Sequence, residues 1–247
     1  MNNMTRGAIS ALALASALCQ AAPPIKEPMQ MNTTEQTSTL SVSQQAIVPI
    51  AAFAAVGDIA NLNQALEHGL DAGMTVSDAR EVLVQLYAYA GFPRSLNALG
   101  ELMKVVEQRR ARGVVDAPGR APVRPIPTGD ALLAAGSANQ AKLVGAPVRG
   151  PLFDFAPAID EYLKTHLFGD IFERDNLDWQ SREVATVSIL AALSGVESQL
   201  QSHVRISMNV GISVGQLRQV ADVLARQVDA AAGARALAAL TKVTAAQ

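Results

Sequence analysis

The segments "EHGLDAGMTVSDAREVLVQL" (67–86) and "RISMNVGISVGQLRQVADVL" (205–224) share a pattern that decides the fold. In both, a glycine that can end one helix is followed by Thr or Ser and then by a new amphipathic helix. The spacing between the two glycines, Gly73 and Gly211, is called the repeat offset below. The repeat offset pairs further cap and core positions, among them Ser43 with Ser181, Gly57 with Gly195, Leu62 with Leu200 and Arg80 with Arg218. The sequence therefore predicts two copies of one helical unit.

The rest of the chain is organised around these copies. The 247 residues are 49% hydrophobic and 4% aromatic, which is typical of a compact, mostly helical protein. We predict an all-α fold of two tandem repeats packed together. The predicted division is a signal peptide (1–21), a flexible lead-in (22–40), repeat 1 (41–112), a linker rich in proline and glycine (113–129) and repeat 2 (130–247). The second repeat opens with extra helical material, which runs from Asp130 to Arg174.

The N-terminus has the pattern of a secretory signal peptide. Arg6 precedes the apolar run "GAISALALASALC", which at about a dozen residues is too short to span a bilayer. Small residues follow, and we predict cleavage after Ala21 and a periplasmic or secreted protein without a membrane span. Two alternatives stay open. One is that the run is an ordinary apolar helix, and the other is that the protein is a lipoprotein whose first mature residue is Cys19.

Charge and cysteine content exclude several kinds of function. The net charge is −2 and no long basic stripe is present, so no nucleic-acid partner is expected. Cys19 is the only cysteine, and its removal with a signal peptide would leave no thiol for disulfides, catalysis or metal binding. The three histidines, His68, His166 and His203, lack the close spacing of metal ligands, so we predict no metal site.

A candidate acid–base residue lies in the helix predicted from "SREVATVSILAALSG" (181–195). Helical spacing places Glu183 on one face with Val187, Leu190 and Ser194. A carboxylate on an apolar face is costly unless it is paired or protonated. The alternative is a structural role, because Ser181 as N-cap would place Glu183 in the first turn, where a carboxylate interacts favourably with the helix dipole.

The next predicted helix carries the candidate partner. A core stripe follows helical spacing along it, through Val196, Leu200, Val204 and Met208. His203 is expected beside this stripe, with Gln199 one turn before it. A histidine at a core edge is commonly a hydrogen-bonded structural residue. A carboxylate and an imidazole on neighbouring helices also form a proton-transfer pair, and both interpretations remain open.

Repeat 1 differs at these positions. The repeat offset aligns Gln45 with Glu183 and Ala65 with His203, so repeat 1 lacks the pair. Its own distinctive stretch is "LYAYAGFPRSLNAL" (86–99), whose aromatic side chains either fill the core or close the site of the other repeat.

Residues 166–213 resemble the core of carboxymuconolactone decarboxylase proteins, in the alkylhydroperoxidase D-like superfamily. Residues 77–99 are similar to the segment that normally follows directly in one copy, and residues 131–145 resemble the family's N-terminal helix. The resemblance implies an all-α fold of six-helix units that associate into trimers or hexamers. Because this chain contains two copies, we expect a homotrimer.

The superfamily has a peroxidase branch and a decarboxylase branch. Glu183 and His203 match its glutamate and histidine, but the positions of the peroxidase cysteines, 196–199, read "VESQ". Thiol-dependent peroxide reduction is therefore rejected. The decarboxylase branch implies cofactor-free, lyase-type acid–base chemistry on a small carboxylate or lactone, with Glu183 and His203 catalytic and with Gln199 and Tyr89 binding the substrate. The alternative is a non-catalytic helical binding or assembly protein with a vestigial pocket.

Overall fold

The computed structural model describes residues 39–246, and within them the chain is all-α, with no strand. The all-α prediction is confirmed. One helix is a π-helix, Leu163–Ile171. The others are α1 (Val42–Val56), α2 (Ile59–Asp71), α3 (Val76–Gln85), α4 (Tyr87–Ala90), α5 (Phe92–Ala111), α6 (Asp130–Val144), α7 (Pro151–Phe155), α8 (Pro157–Tyr162), α9 (Trp179–Ala192), α10 (Glu197–Asn209), α11 (Val214–Gln227) and α12 (Ala230–Ala245).

Two helices, α1 and α9, pack against each other at the centre of the molecule. Residues 47–55 of α1 and 181–191 of α9 are buried without interruption. Both helices are therefore buried all round. The spacing of Glu183, Val187 and Leu190 had indicated that α9 is an amphipathic helix with one apolar face, which is not the case. The N-terminal half (41–112) places α2, α3 and α5 around α1, and the C-terminal half (130–246) places α10, α11 and α12 around α9.

The helices of the two halves begin in the same register. The helix α10 starts one repeat offset after α2, α11 starts one repeat offset after α3, and α12 starts one repeat offset after α5. Thr75 and Ser213, which this offset pairs, both cap their helices with a reciprocal capping box. We propose on this basis that the halves are copies of one unit.

The start of one helix differs from the sequence-based expectation. The cap of α9 is Asp178, whose side chain accepts hydrogen bonds from the backbone N–H and the hydroxyl of Ser181. Glu183 is therefore the fifth residue of α9 and lies beyond the first turn, so the helix-dipole interpretation of this carboxylate is wrong. In the N-terminal half, α1 begins after Ser41 and continues through Pro49, which withdraws the usual i+4 donor from the Gln45 carbonyl.

The segment that precedes α9 forms a cover over α10. The helix α6 packs on the π-helix, and Gly136 of α6 lies so close to it that a Cβ atom there would overlap the Lys164 carbonyl oxygen. Together they bury Leu143 and Phe172 against Ile206 of α10. The N-terminal half has no such cover among the described residues.

The residues between α5 and α6 form no helix over 114–128, but they contact the N-terminus of α3. The first two N–H groups of α3, of Val76 and Ser77, donate to the carbonyls of Ala117 and Pro118. The predicted linker thus supplies acceptors that a helix N-terminus needs. The predicted signal peptide, including Cys19, lies outside the described residues. Among residues 39–246, no helix has the length and apolar character required to cross a membrane.

Candidate acid–base site

The structure brings Glu183 and His203 into direct contact. Glu183 Oε2 of α9 lies 2.8 Å from His203 Nδ1 of α10. The carboxylate is fully buried, and the imidazole side chain is 10% exposed. At this distance, and away from water, the hydrogen bond fixes the ring orientation and provides a route for a proton between the two groups.

His203 belongs to the buried face of α10, together with Leu200, Val204 and Ser207. The predicted core stripe is confirmed, because Leu200 and Val204 belong to the main core and Val196 and Met208 pack against it. His203 lies beside this stripe and is itself buried. The cover formed by α6 and the π-helix buries a further strip of α10 through Ile206.

Two atoms of the pair remain open to a further partner. Glu183 Oε1 is buried and makes no hydrogen bond to the described residues. His203 Nε2 likewise has no partner among them, but it is not one of the fully enclosed polar atoms. The small exposure of the imidazole is therefore compatible with approach to Nε2, which makes this nitrogen the atom of the pair that can meet a ligand. Buried polar atoms usually find partners, so an unpaired Oε1 marks a place for water or a ligand.

Tyr89 reaches this pair from the N-terminal half. Its ring meets the His203 ring edge-on, with centroids 5.5 Å apart and planes at 80°. The hydroxyl is buried and, although Thr186 lies nearby, forms no well-aligned hydrogen bond. Burial raises the pKa of Tyr89, and the negative charge of Glu183 raises it further, so the phenol keeps its proton and can donate. Tyr89 is held in place by the four-residue α4, which ends at Gly91 with φ 83°.

Gln199, the other predicted substrate ligand, is exposed. It lies in the first turn of α10, one turn before His203, and its Oε1 accepts a hydrogen bond from Ser198. The structure therefore brings three of the four predicted site residues together and leaves Gln199 at the surface.

A second polar cluster next to the site was not predicted. Arg182 is fully buried and donates to Glu81 Oε2 at 3.1 Å and to the carbonyl of Arg174. Gln85 donates to Thr186 Oγ1 at 2.8 Å, which connects the cluster to the helix face beneath Tyr89. The signal in the sequence was an arginine and a threonine within the helix that also carries Glu183.

Glu81 is the carboxylate that pairs with the two arginines of this cluster, Arg174 and Arg182. Burial alone would raise the pKa of Glu81, but the hydrogen bond from Arg174 and the charge of Arg182 outweigh it and hold the pKa below its usual range. Burial lowers the pKa of Arg182 against the opposing effect of Glu81. Since arginine stays protonated in proteins, we interpret the group as an ion pair.

Possible metal ligands do not gather at the site. Among the described residues, no group of three or more His, Cys, Asp or Glu side chains is placed to hold a metal ion. His166 of the π-helix contacts Asp170 instead, at 3.0 Å.

The comparison with known families bears on the half that contains the pair. Residues 157–245 match the family model of the carboxymuconolactone decarboxylase family. This part of the chain is similar to that family. A search of curated proteins gives no match. The matched residues contain Glu183 and His203, whereas Tyr89, whose ring contacts His203, lies outside them.

Proposed function

We propose that this carboxymuconolactone decarboxylase-like protein is a cofactor-free, lyase-type enzyme that acts on a small carboxylate or lactone. The observation that carries the proposal is the buried 2.8 Å contact between Glu183 and His203, with an accessible ring nitrogen on its far side. Glu183 accepts the hydrogen bond from Nδ1–H and orients the ring, so Nε2 is the atom that exchanges a proton with the substrate.

Decarboxylation needs one proton at the right place. The bond between the carboxylate and the ring carbon of the substrate breaks, carbon dioxide leaves, and the electron pair stays on the conjugated lactone. His203 Nε2–H then donates its proton to this carbon, and water protonates the imidazole again. The buried carboxylate of Glu183 holds the ring in one orientation while the proton is transferred.

Tyr89 is proposed to bind the substrate. Its protonated hydroxyl is buried, unpaired among the described residues and close to the Glu183 carboxylate. A phenol in this place can donate to a lactone carbonyl or to a substrate carboxylate. Gln199 is proposed to contact only a part of the substrate that projects toward the surface.

The test uses carboxymuconolactone and simpler lactone acids, with carbon dioxide release and deuterium incorporation from D2O as readouts. We expect His203→Ala and Glu183→Gln to abolish both, and His68→Ala, which removes an exposed histidine of α2, to leave both unchanged. Tyr89→Phe should raise KM more than it lowers kcat, because it removes a binding contact. Unaltered turnover in both His203→Ala and Glu183→Gln would refute the proposal.

The second candidate is a non-catalytic helical binding protein. It is favoured by the enclosure of the pair and by the location of a pocket of about 510 Å³, which lies in the N-terminal half, away from Glu183 and His203. If purified protein binds a small molecule there but releases no carbon dioxide from any lactone acid, this function replaces the first.

A further inference from the structure

The pocket of about 510 Å³ lies between α1 and α2 and is closed on one side by Gln227, at the end of α11. Its apolar side includes Val42, Pro49, Phe53 and Ala65. Its polar side chains are Gln45, Asn61, Gln64, His68 and Gln227. The volume is within the range of pockets that bind small molecules.

The pocket occupies the place that corresponds to the acid–base site. By the repeat offset, Gln45 aligns with Glu183 and Ala65 aligns with His203. The same offset aligns Tyr89 with Gln227, and each of these two residues comes from the opposite half to the site that it completes. The N-terminal half thus retains the site without its acid and base.

The pocket is open to solvent because none of the residues described by the structure covers it. In the C-terminal half, Ile206 and Val210 pack under α6 and the π-helix. Their counterparts at the repeat offset are His68 and Ala72, and both line the pocket and are exposed. A histidine therefore stands where the other half buries an isoleucine.

The lining offers neutral hydrogen-bonding groups. It contains no carboxylate, lysine or arginine among the described residues, and its four amides supply both donors and acceptors. Gln45 Nε2 is engaged with the Leu40 carbonyl and Asn61 Nδ2 with Asp58. The side chains of Gln64, His68 and Gln227 make no hydrogen bond to the described residues, so they are available to a ligand.

We propose that this pocket binds a neutral molecule of one or two rings that carries a carbonyl group, such as an uncharged lactone or ester. The rings lie against Phe53 and Pro49, and the carbonyl accepts hydrogen bonds from Gln64 and Gln227. A charged ligand is disfavoured, because no opposite charge lines the described pocket to replace the water that the charge would lose. The acid and base proposed for the other site have no equivalent here, since Gln45 and Ala65 cannot exchange a proton, and we expect binding without that chemistry.

The experiment titrates three neutral probes, coumarin, δ-valerolactone and 2-pyrone, and one anion, coumarin-3-carboxylate, into isotope-labelled full-length protein. The side-chain amide signals of glutamine and asparagine report binding in NMR spectra. We expect saturable shifts of Gln64 and Gln227 with coumarin and at least tenfold weaker binding of coumarin-3-carboxylate. The double variant Gln64→Leu/Gln227→Leu should bind coumarin at least tenfold more weakly.

Matched controls separate this pocket from the acid–base site. Gln108→Leu makes the same change at an exposed position of α5 outside the pocket, and Glu183→Gln disables the other site at little cost in stability. Both should bind coumarin like the unaltered protein. The proposal is overturned if coumarin and its carboxylate bind equally, if the double variant binds normally, if Glu183→Gln abolishes binding, or if none of the three neutral probes gives saturable shifts.

Discussion

Replacing His203 with alanine should destabilise the protein strongly, because the change leaves a buried carboxylate without a partner. Glu183 is fully buried, Oε2 would lose its 2.8 Å contact, and Oε1 already has no hydrogen bond to the described residues. An uncompensated buried charge of this kind costs about 3–5 kcal/mol of unfolding free energy. For a domain of this size, that loss corresponds to a decrease in Tm of about 6–20 °C.

Glu183→Gln should have a much smaller effect on stability. Glutamine has nearly the same shape, and its amide oxygen can still accept the Nδ1 proton of His203, so we expect a loss of about 1 kcal/mol. The double variant Glu183→Gln/His203→Ala should then be more stable than the sum of the single changes predicts, by about 2–3 kcal/mol, because no buried charge remains unpaired.

The assay is urea denaturation of the four proteins, followed by circular dichroism, with turnover measured per folded molecule. His68→Ala serves as the control and should change the unfolding free energy by less than about 0.5 kcal/mol. If the single changes are additive to within about 0.5 kcal/mol, Glu183 and His203 are not energetically coupled and the pairing deduced from the structure is wrong.

The remaining predictions concern other parts of the chain. Because the pKa of Glu81 is held below its usual range, its ion pairs contribute stability above the ordinary glutamate pKa, and this contribution should disappear as the pH falls through the lowered value. Acid unfolding of Glu81→Gln should show a smaller pH dependence there, whereas an identical profile would contradict the ion pair. Gly136→Ala should cost about 1–3 kcal/mol and displace the π-helix, which the fluorescence of Trp179 reports. After export, the protein in the periplasm should have the intact mass of a chain that starts at Ala22. A full-length cytoplasmic product would disprove the signal peptide. Light scattering should give three times the mass of one chain, and a stable monomer at micromolar concentration would exclude the homotrimer.

The sequence predicted the helical class and the neighbouring helices of the pair, because caps and glycines repeat at a fixed offset. Gly57, for example, caps the end of α1 with φ 75°, and its counterpart Gly195 has φ 80° in the connection that follows α9. It did not predict the start of α9, because Asp178 and Ser181 are both good N-caps and lie one turn apart. In the structure the cap is Asp178, so Glu183 lies beyond the first turn of α9 and is buried in the core.

The polar cluster around Arg182 could not be predicted from local sequence. Arginine is rarely fully buried unless it is paired, and its carboxylate partner, Glu81, lies in the other half of the chain. The approach of Tyr89 to His203 has the same origin, since these two residues also belong to different halves. Spacing rules describe one helix at a time, and both contacts depend on how the two halves pack.

The chemistry proposed for the pair depends on both halves, although Glu183 and His203 both lie in the C-terminal half. The helix α9 is buried on all sides because α1 lies along it, and that burial removes water from Glu183. The N-terminal half also supplies Tyr89, and it receives Gln227 in return at the corresponding position of its own pocket. If the halves are copies, the N-terminal half lacks the glutamate and histidine but still supports the other half. It excludes water from Glu183 and places the ring of Tyr89 against His203. Its own pocket is open and contains no carboxylate, lysine or arginine among the described residues. The residues that match the carboxymuconolactone decarboxylase family therefore contain Glu183 and His203, whereas Tyr89, the proposed substrate ligand, comes from the half outside the match.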